Sequence, residues 1–433
     1  MELPKILKKG EVARLFPVIA ETGKEQRATS ILLSVLSAMP ALANALLSQL
    51  GQRIGSRTNV NTFVEVVLKN ETDSAKGDRP DGLIQIITGK RSWSALVEVK
   101  IGKSELEADQ IERYLRLAKE NDVDAVVTIS NQFAAIPSHH PVVIQKGLTR
   151  KVDLFHFSWR AILTEAVLMH EQSALSDPEQ AFLLREFVRF LSHNSAGVTG
   201  FTSMPKEWTT AVDRIQAGGS INKTDGLIIV NAWHQELRDL SLLMSRIISC
   251  PVNVKMPRVH ASDAEKRAAD GIQQLFEEKT LSAKLEIPNT ASPIKVQADL
   301  MSRSIRISMR VDSPKDKKTT KARINWLLRQ IKNVELDNVY VGIIWASRAS
   351  NTVFPLTDFR GDSTKIDEIV SGSEIASFEV TLTSDSARRF AGIRTFIDDI
   401  EGLAPRFYEE IGQHLESWQP QPPKPKHTFK MDS

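Results

Sequence analysis

The chain has 433 residues, 41% hydrophobic and 25% charged, an ordinary globular composition whose length favours two domains. Its 56 basic residues nearly balance 53 acidic ones, so overall charge does not argue for nucleic acid, and any such surface must be a local patch. The single cysteine, Cys250, excludes a disulfide framework and a cysteine-built zinc site and suits a reducing cytoplasm; no apolar run of membrane-spanning length and no signal-peptide core argue for a membrane.

Residues 1–20 are expected to form a short helix and an arm. From Lys24 to Leu50 apolar residues recur at helical spacing, with a break near Pro40. Thr62–Leu68 is β-rich, and Asn70–Arg79 is polar and turn-like. Leu83–Ile87 and Ala95–Lys100 are apolar runs separated by Gly89-Lys-Arg-Ser, which predicts a hairpin. Ser104-Glu-Leu-Glu107 has the form of a capping box before an amphipathic helix over Leu106–Ala118. Asp124–Ser130 and Lys151–Trp159 are strands, the second running into a helix through about Met169, and Asp177–Leu191 is a further helix. Trp159 is expected in the core. His139-His140 sit in the intervening loop with no third ligand at useful spacing, and are read as loop residues.

Within this frame Asp81, between Pro80 and Gly82, opens one strand, and Glu98 and Lys100 lie two apart on the next. Period two puts Glu98 and Lys100 on one face, with Val97 and Val99 on the other, and the hairpin brings Asp81 back beside Glu98. Two carboxylates that close repel, and a cation between them is the natural remedy. Arg79-Pro-Asp81, then Val97-Glu-Val-Lys100, in the order helix, three strands, helix, strand, resembles the PD-(D/E)XK nuclease superfamily with its restriction-endonuclease-like fold. The likeness covers roughly Lys24–Leu163.

That resemblance implies an α/β protein with an N-terminal αβββαβ nuclease core and a Mg²⁺-dependent deoxyribonuclease activity. Mn²⁺ is expected to substitute for Mg²⁺. Asp81 and Glu98 are the implied metal ligands, with the Val99 carbonyl as a further one, and Lys100 orients or deprotonates the water or stabilises developing charge. Lys100 can lose proton affinity if desolvated. Gln110 is implied to support the site by hydrogen bonding, and Glu25 and Glu65 are auxiliary acidic candidates. Such proteins serve restriction, repair or defence against foreign DNA. A catalytically inactive nucleic-acid- or partner-binding protein of the same fold, acting within a complex, is the alternative.

The boundaries expected are a nuclease-like domain over 1–194, a Gly/Ser/Thr-rich linker over 195–222, a second α/β domain over 223–418 and a disordered Pro/Lys-rich tail over 419–433. In the second domain Asp225–Val230 and Asn253–Val259 are strand-like, with a helix over Gln235–Ile248 between them. A helix at Ser262–Glu278 follows. Strands at Leu281–Ile287, Ile294–Leu300 and Ile305–Val311, a helix at Thr319–Ile331 and a strand at Val339–Trp345 then echo the first half and suggest a degenerate duplication. A strand at Ser377–Leu382 and two helices joined near Pro405 complete it. The copy lacks the motif: Ile305-Arg-Ile-Ser-Met-Arg-Val stands where Glu-x-Lys would fall. Arg303, Arg306, Arg310, Lys317, Lys318 and Lys321 form the densest basic stretch and are the expected DNA contacts. The resemblance also implies a homodimer or a partner protein, since relatives that cut both strands often pair two active sites.

Overall fold

The computed structural model describes residues 4–15, 23–69, 79–172, 175–347, 350–361, 374–384 and 387–419. Most of the expected 70–79 turn and nearly all of the expected tail lie outside these residues. The chain is mixed α/β, with two sheets.

The first sheet has six strands in chain order: β1 (Leu7–Val12), β2 (Thr58–Leu68), β3 (Gly82–Thr88), β4 (Arg91–Val99), β5 (Ala125–Ser130) and β6 (Asp153–Ser158). β1 to β4 are antiparallel neighbours, and β4, β5 and β6 run parallel. Thr88 pairs with Arg91, so Gly89-Lys90 is a two-residue turn, and Gly89 supplies the positive φ of 61° it needs. The parallel step from β4 to β5 crosses over through α3 (Ala108–Glu120), as parallel pairing demands. β5 is buried along its whole length, because helices cover both faces of a parallel strand.

On one face α1 (Lys24–Ala38), α2 (Pro40–Leu47), α4 (Trp159–Glu171) and α5 (Pro178–Ser192) bury Val97, Val99, Val127 and Ile129. On the other, α3 buries Leu83, Leu96 and Val126. Each such side chain contributes about 1.5–3 kcal/mol. The first helical stretch breaks at Met39, whose φ of −123° and ψ of 87° follow from the proline after it. The two helical segments meet at 107°, and among the described residues no single helix is long and apolar enough to cross a membrane.

The second sheet is antiparallel throughout, in the order β12-β11-β13-β10-β9-β8-β7. Its strands are β7 (Asn253–Val254), β8 (Thr280–Glu286), β9 (Ile294–Asp299), β10 (Ser304–Asp312), β11 (Val339–Trp345), β12 (Thr352–Pro355) and β13 (Ile375–Thr383). Its helices are α6 (Glu207–Gln216), α7 (Lys223–Ile248), α8 (Arg258–Ser262), α9 (Ala264–Glu278), α10 (Thr320–Gln330), α11 (Leu356–Gly361) and α12 (Ile393–Glu410).

Several expectations are corrected. Leu7–Val12 is an edge strand on β2, not part of a helix. Asp225–Val230 is the start of α7, capped by the Asn222 side chain, which accepts from the Asp225 amide. A short apolar run does not reveal its own period, and here the buried positions Ile229, Trp233, Leu237 and Leu240 continue at helical spacing. The span 195–222 is no free linker: α6 lies within it, and Trp208 is fully buried against Phe396 at 4.3 Å between ring centroids. Ser104–Glu107 forms no capping box, since α3 starts at Ala108 without a side-chain cap. Only Asn253–Val254 of the 253–259 run is strand. Pro405 does not divide two helices but lies inside α12, where burial of Phe396, Ile400, Ala404 and Phe407 outweighs its missing amide bond.

Along the chain α9, β8 to β10, α10 and β11 repeat the element order of the first half. In space β13 lies between β10 and β11, whereas β4 and β5 pair directly. The halves meet through α4 and α7, with a buried ion pair of Arg160 Nη1 to Asp239 Oδ1 at 3.1 Å. Glu236, fully buried on the same helix, has no partner for either carboxylate oxygen among the described residues.

Candidate active site

The α3 face of β4 carries Leu96 and Glu98, and Lys100 continues that alternation just past the strand. Gly82 pairs with Val97 in the antiparallel register, so Asp81 comes beside Glu98. Asp81 Oδ2 accepts from the Val99 amide at 2.7 Å. Glu98 is 2% exposed and its Oε1 meets Lys100 Nζ at 2.7 Å. Glycine is required at 82: a Cβ there would lie 2.5 Å from Leu33 Cδ1 and 2.8 Å from the Phe63 carbonyl oxygen. This close seat presses α1 onto the strand end and delivers Glu25, whose Oε1 accepts from the Ile101 amide at 3.3 Å.

Electrostatics follow from that crowding. Burial, and then the charge of Glu98, pushes the Asp81 carboxyl up to about 8. Burial also raises Glu98, against the hydrogen bond from Lys100. Lys100 departs from the expectation of a lowered pKa: burial pulls it down, but the hydrogen bond and charge of Glu98 outweigh this and leave it raised. Lys100 is therefore an ammonium in this arrangement. Three carboxylates, those of Asp81, Glu98 and Glu25, act on one another with that single cation among them.

Tyr114, which the sequence reading missed, completes the site. Its hydroxyl donates to the Arg79 carbonyl at 3.0 Å, accepts from Gln110 Nε2 at 3.0 Å and lies in hydrogen-bond contact with Glu98. Gln110 thus acts through Tyr114, one helical turn on. Burial, with the charge of Glu98 next, raises the Tyr114 hydroxyl, which stays protonated. Trp159 is buried, as expected, and its Nε1 donates to the Lys100 carbonyl at 3.0 Å. Asn131 Nδ2 donates to the carbonyls of Gly102 and Gly197, fixing the segment after Lys100.

A polar row extends from the site. Glu98, Thr128 and His156 are register neighbours on three parallel strands. Thr128 Oγ1 lies 2.8 Å from His140 Nε2 and 2.9 Å from His156 Nδ1, and His156 Nε2 lies 2.8 Å from the Gln132 carbonyl oxygen. Burial holds His140 at about 4 and His156 at about 3, so both are neutral. His140 is an anchor that binds its loop to β5, and His139 Nε2 contacts the Ala261 carbonyl of the second half.

Other candidates fall outside the site. Glu65 is exposed on a bulge of β2 with φ of 52° and takes no part in these hydrogen bonds. The six basic candidates are spread along β10 and the segment that follows it. Arg303 turns into β10, Arg306 pairs with Asp299 at 3.3 Å, and Arg310 is exposed. Lys317, paired with Asp316, and exposed Lys318 and Lys321 follow the strand's far end, which is about 25 Å from the strand's start beside Arg303 but only about 7 Å from Arg310 at ~3.3 Å per residue. Neighbouring Arg323 is buried and structural, donating to the Lys317 and Ile375 carbonyls and to Glu374.

Asp81 and Glu98 fit a hard divalent cation: they are oxygen donors whose raised proton affinities register an unmet need for positive charge. Among the described residues no three His, Cys, Asp or Glu side chains form a ready-made metal cluster. A two-carboxylate site of this kind suits Mg²⁺, which keeps water and substrate oxygens in its remaining positions. No protein-family model matches the chain, and no curated protein sequence does.

Proposed function

We propose that the chain is a metal-dependent nuclease of the PD-(D/E)XK type that hydrolyses phosphodiester bonds in DNA. The observation that carries this reading is the convergence of buried Asp81 and Glu98 with Lys100 on one sheet face, at the end of a hairpin followed by a crossover helix. Asp81 and Glu98 would hold Mg²⁺ or Mn²⁺, with the Val99 carbonyl as a third protein ligand. The bound ion supplies Lewis-acid charge stabilisation and makes water a nucleophile near neutral pH.

The chain's own residues do the rest. Asp81 is held by the Val99 amide, so its second oxygen is the one turned to a ligand. Tyr114, braced by Gln110, fixes Glu98 and the Arg79 carbonyl together. Lys100, an ammonium on the same sheet face, would meet the developing negative charge on the phosphate. Glu25 adds to the negative field that draws the cation.

The test is cleavage of plasmid and linear DNA with Mg²⁺ or Mn²⁺ by wild type, Asp81→Asn and Lys100→Ala. Metal-dependent cutting that both substitutions abolish is the expected result. The second reading, an inactive binding protein, is favoured by one observation, the Glu98–Lys100 ion pair that ties up the would-be base. It predicts neither cutting nor metal binding by wild type, whereas metal binding without cutting, removed by Asp81→Asn, points to an intact site that awaits a partner or the right substrate.

A further inference from the structure

α7 and α9 cross at glycines: a Cβ on Gly226 would lie 2.9 Å from the Phe276 ring, and one on Gly271 2.7 Å from Val230 Cγ1. Beside this tight crossing, α9, the segment after β7, the middle of β8 and the start of β9 line an open cleft of about 470 Å³. That is the size of a small-molecule site.

Arg267, on α9, lines the cleft and is only 8% exposed. Its guanidinium has no carboxylate within ion-pair distance and no hydrogen-bond acceptor among the described residues. The carboxylate that lines the cleft, Asp270, is taken by Lys266 at 2.6 Å and by His260 at 2.9 Å. A mostly buried guanidinium whose donors open only onto a cleft is placed to meet an anion there.

Two further cations face the same space. Lys284 on β8 and Lys295 on β9 are direct cross-strand partners, and both line the cleft. Like charges in that position repel unless an anion lies between them. Ser282, whose Oγ accepts from Gln274 Nε2 at 2.7 Å, keeps its proton to donate. Along one side the wall is apolar, with Val254, Met256 and Pro257.

We infer that this cleft binds a small phosphate-bearing ligand of nucleotide size. The phosphate is held by Arg267, Lys284, Lys295 and the Ser282 hydroxyl. The organic body lies along Met256 and Pro257. Arg267 supplies a fork of donors suited to phosphate oxygens, and it stays charged, since burial lowers it only to about 10. The site belongs to the second half and is independent of Asp81 and Glu98.

The experiment uses the full chain in the presence of EDTA, so that the carboxylate site holds no metal. Thermal shift and titration calorimetry are run with inorganic phosphate, adenosine 5′-monophosphate and a 5′-phosphorylated oligonucleotide. The expected result is that adenosine monophosphate stabilises the protein more than phosphate does. Arg267→Gln weakens this binding about tenfold or more while raising the melting temperature of the unliganded protein. Lys284→Gln and Lys295→Gln, both on the strand surface, each weaken it several-fold, and Asp81→Asn leaves it unchanged. The inference is overturned if neither small ligand binds, or if they bind equally well to Arg267→Gln or to both lysine variants. It is also overturned if the oligonucleotide binds and adenosine monophosphate does not.

Discussion

Replacing Asp81 by asparagine has opposite effects with and without metal. Asparagine keeps the shape, and its side-chain oxygen can still accept from the Val99 amide, but it removes a carboxyl raised from 3.8 to about 8. In the unfolded chain that carboxyl is ionised at pH 7, whereas in the folded, metal-free protein it holds a proton. Each pH unit above the ordinary value costs about 1.4 kcal/mol, so full burial would place the penalty at about 4 kcal/mol at pH 7. Asp81 retains some solvent contact, and about half of that is the reasonable expectation. Asp81→Asn should therefore raise the melting temperature in EDTA by a few degrees. Because the folded pKa is raised, the wild-type penalty is absent below about pH 4 and grows as pH rises towards 8. In Mg²⁺ at a hundred times its dissociation constant, wild type gains about 2.7 kcal/mol, and the variant should gain almost none. Thermal melts from pH 5 to 8, with EDTA and with Mg²⁺, read all of this. A variant less stable than wild type in EDTA, or an equal Mg²⁺ shift in both proteins, would refute the reasoning.

Other outcomes follow from the same geometry. Tyr114→Phe strips the Arg79 carbonyl of its donor and should cost about 1–3 kcal/mol in denaturant melts, with a loss of the proposed cleavage that Gln110→Ala reproduces more weakly. Gly82→Ala forces a methyl against Leu33 and the Phe63 carbonyl and should cost about 1–3 kcal/mol or more, read by thermal melting. Glu236→Gln should stabilise the protein above pH 5, because burial and neighbouring Glu401 hold the native carboxyl well above its ordinary value. Glu401 is raised to about 7, by burial first, so its contribution to stability declines from about pH 4.5 to 7; Glu401→Gln should flatten the stability profile across that window.

The half of the molecule that bears Asp81, Glu98 and Lys100 was legible because its cues are local. Period-two alternation assigns the face, Gly89 makes the turn, and a parallel strand must follow a crossover helix. Tyr114 escaped notice because its role depends on α3 meeting the sheet at one rotation; the only cue was its place four residues after Gln110. Thr128 and His156 come together only through the β5–β6 register, and His140 only through the fold of its loop, and no spacing in the chain announces either. Asp225–Val230 was misread because Leu-Ile-Ile-Val has equal claims as strand and as buried helix. Within the basic stretch, only the burial of Arg323 escaped the sequence, because it depends on the Ile375 and Glu374 neighbours that the fold brings to it.

The seam between α4 and α7 bears on how the polypeptide is to be handled. Asp239 accepts from Arg160 in the first half and from the Phe201 amide at 2.6 Å, and Arg246 Nη1 reaches back to Thr164 Oγ1 at 2.5 Å. Cutting the chain near residue 195 and parting the halves would bare Arg160 on one fragment and Asp239 on the other. Asp239 would keep the Phe201 amide and the nearby Arg246 but lose its ion pair, and breaking a buried pair of this kind is costly. The seam is thus a polar tie between two halves that each keep a hydrophobic core of their own, and a cut through it should lower the stability of both.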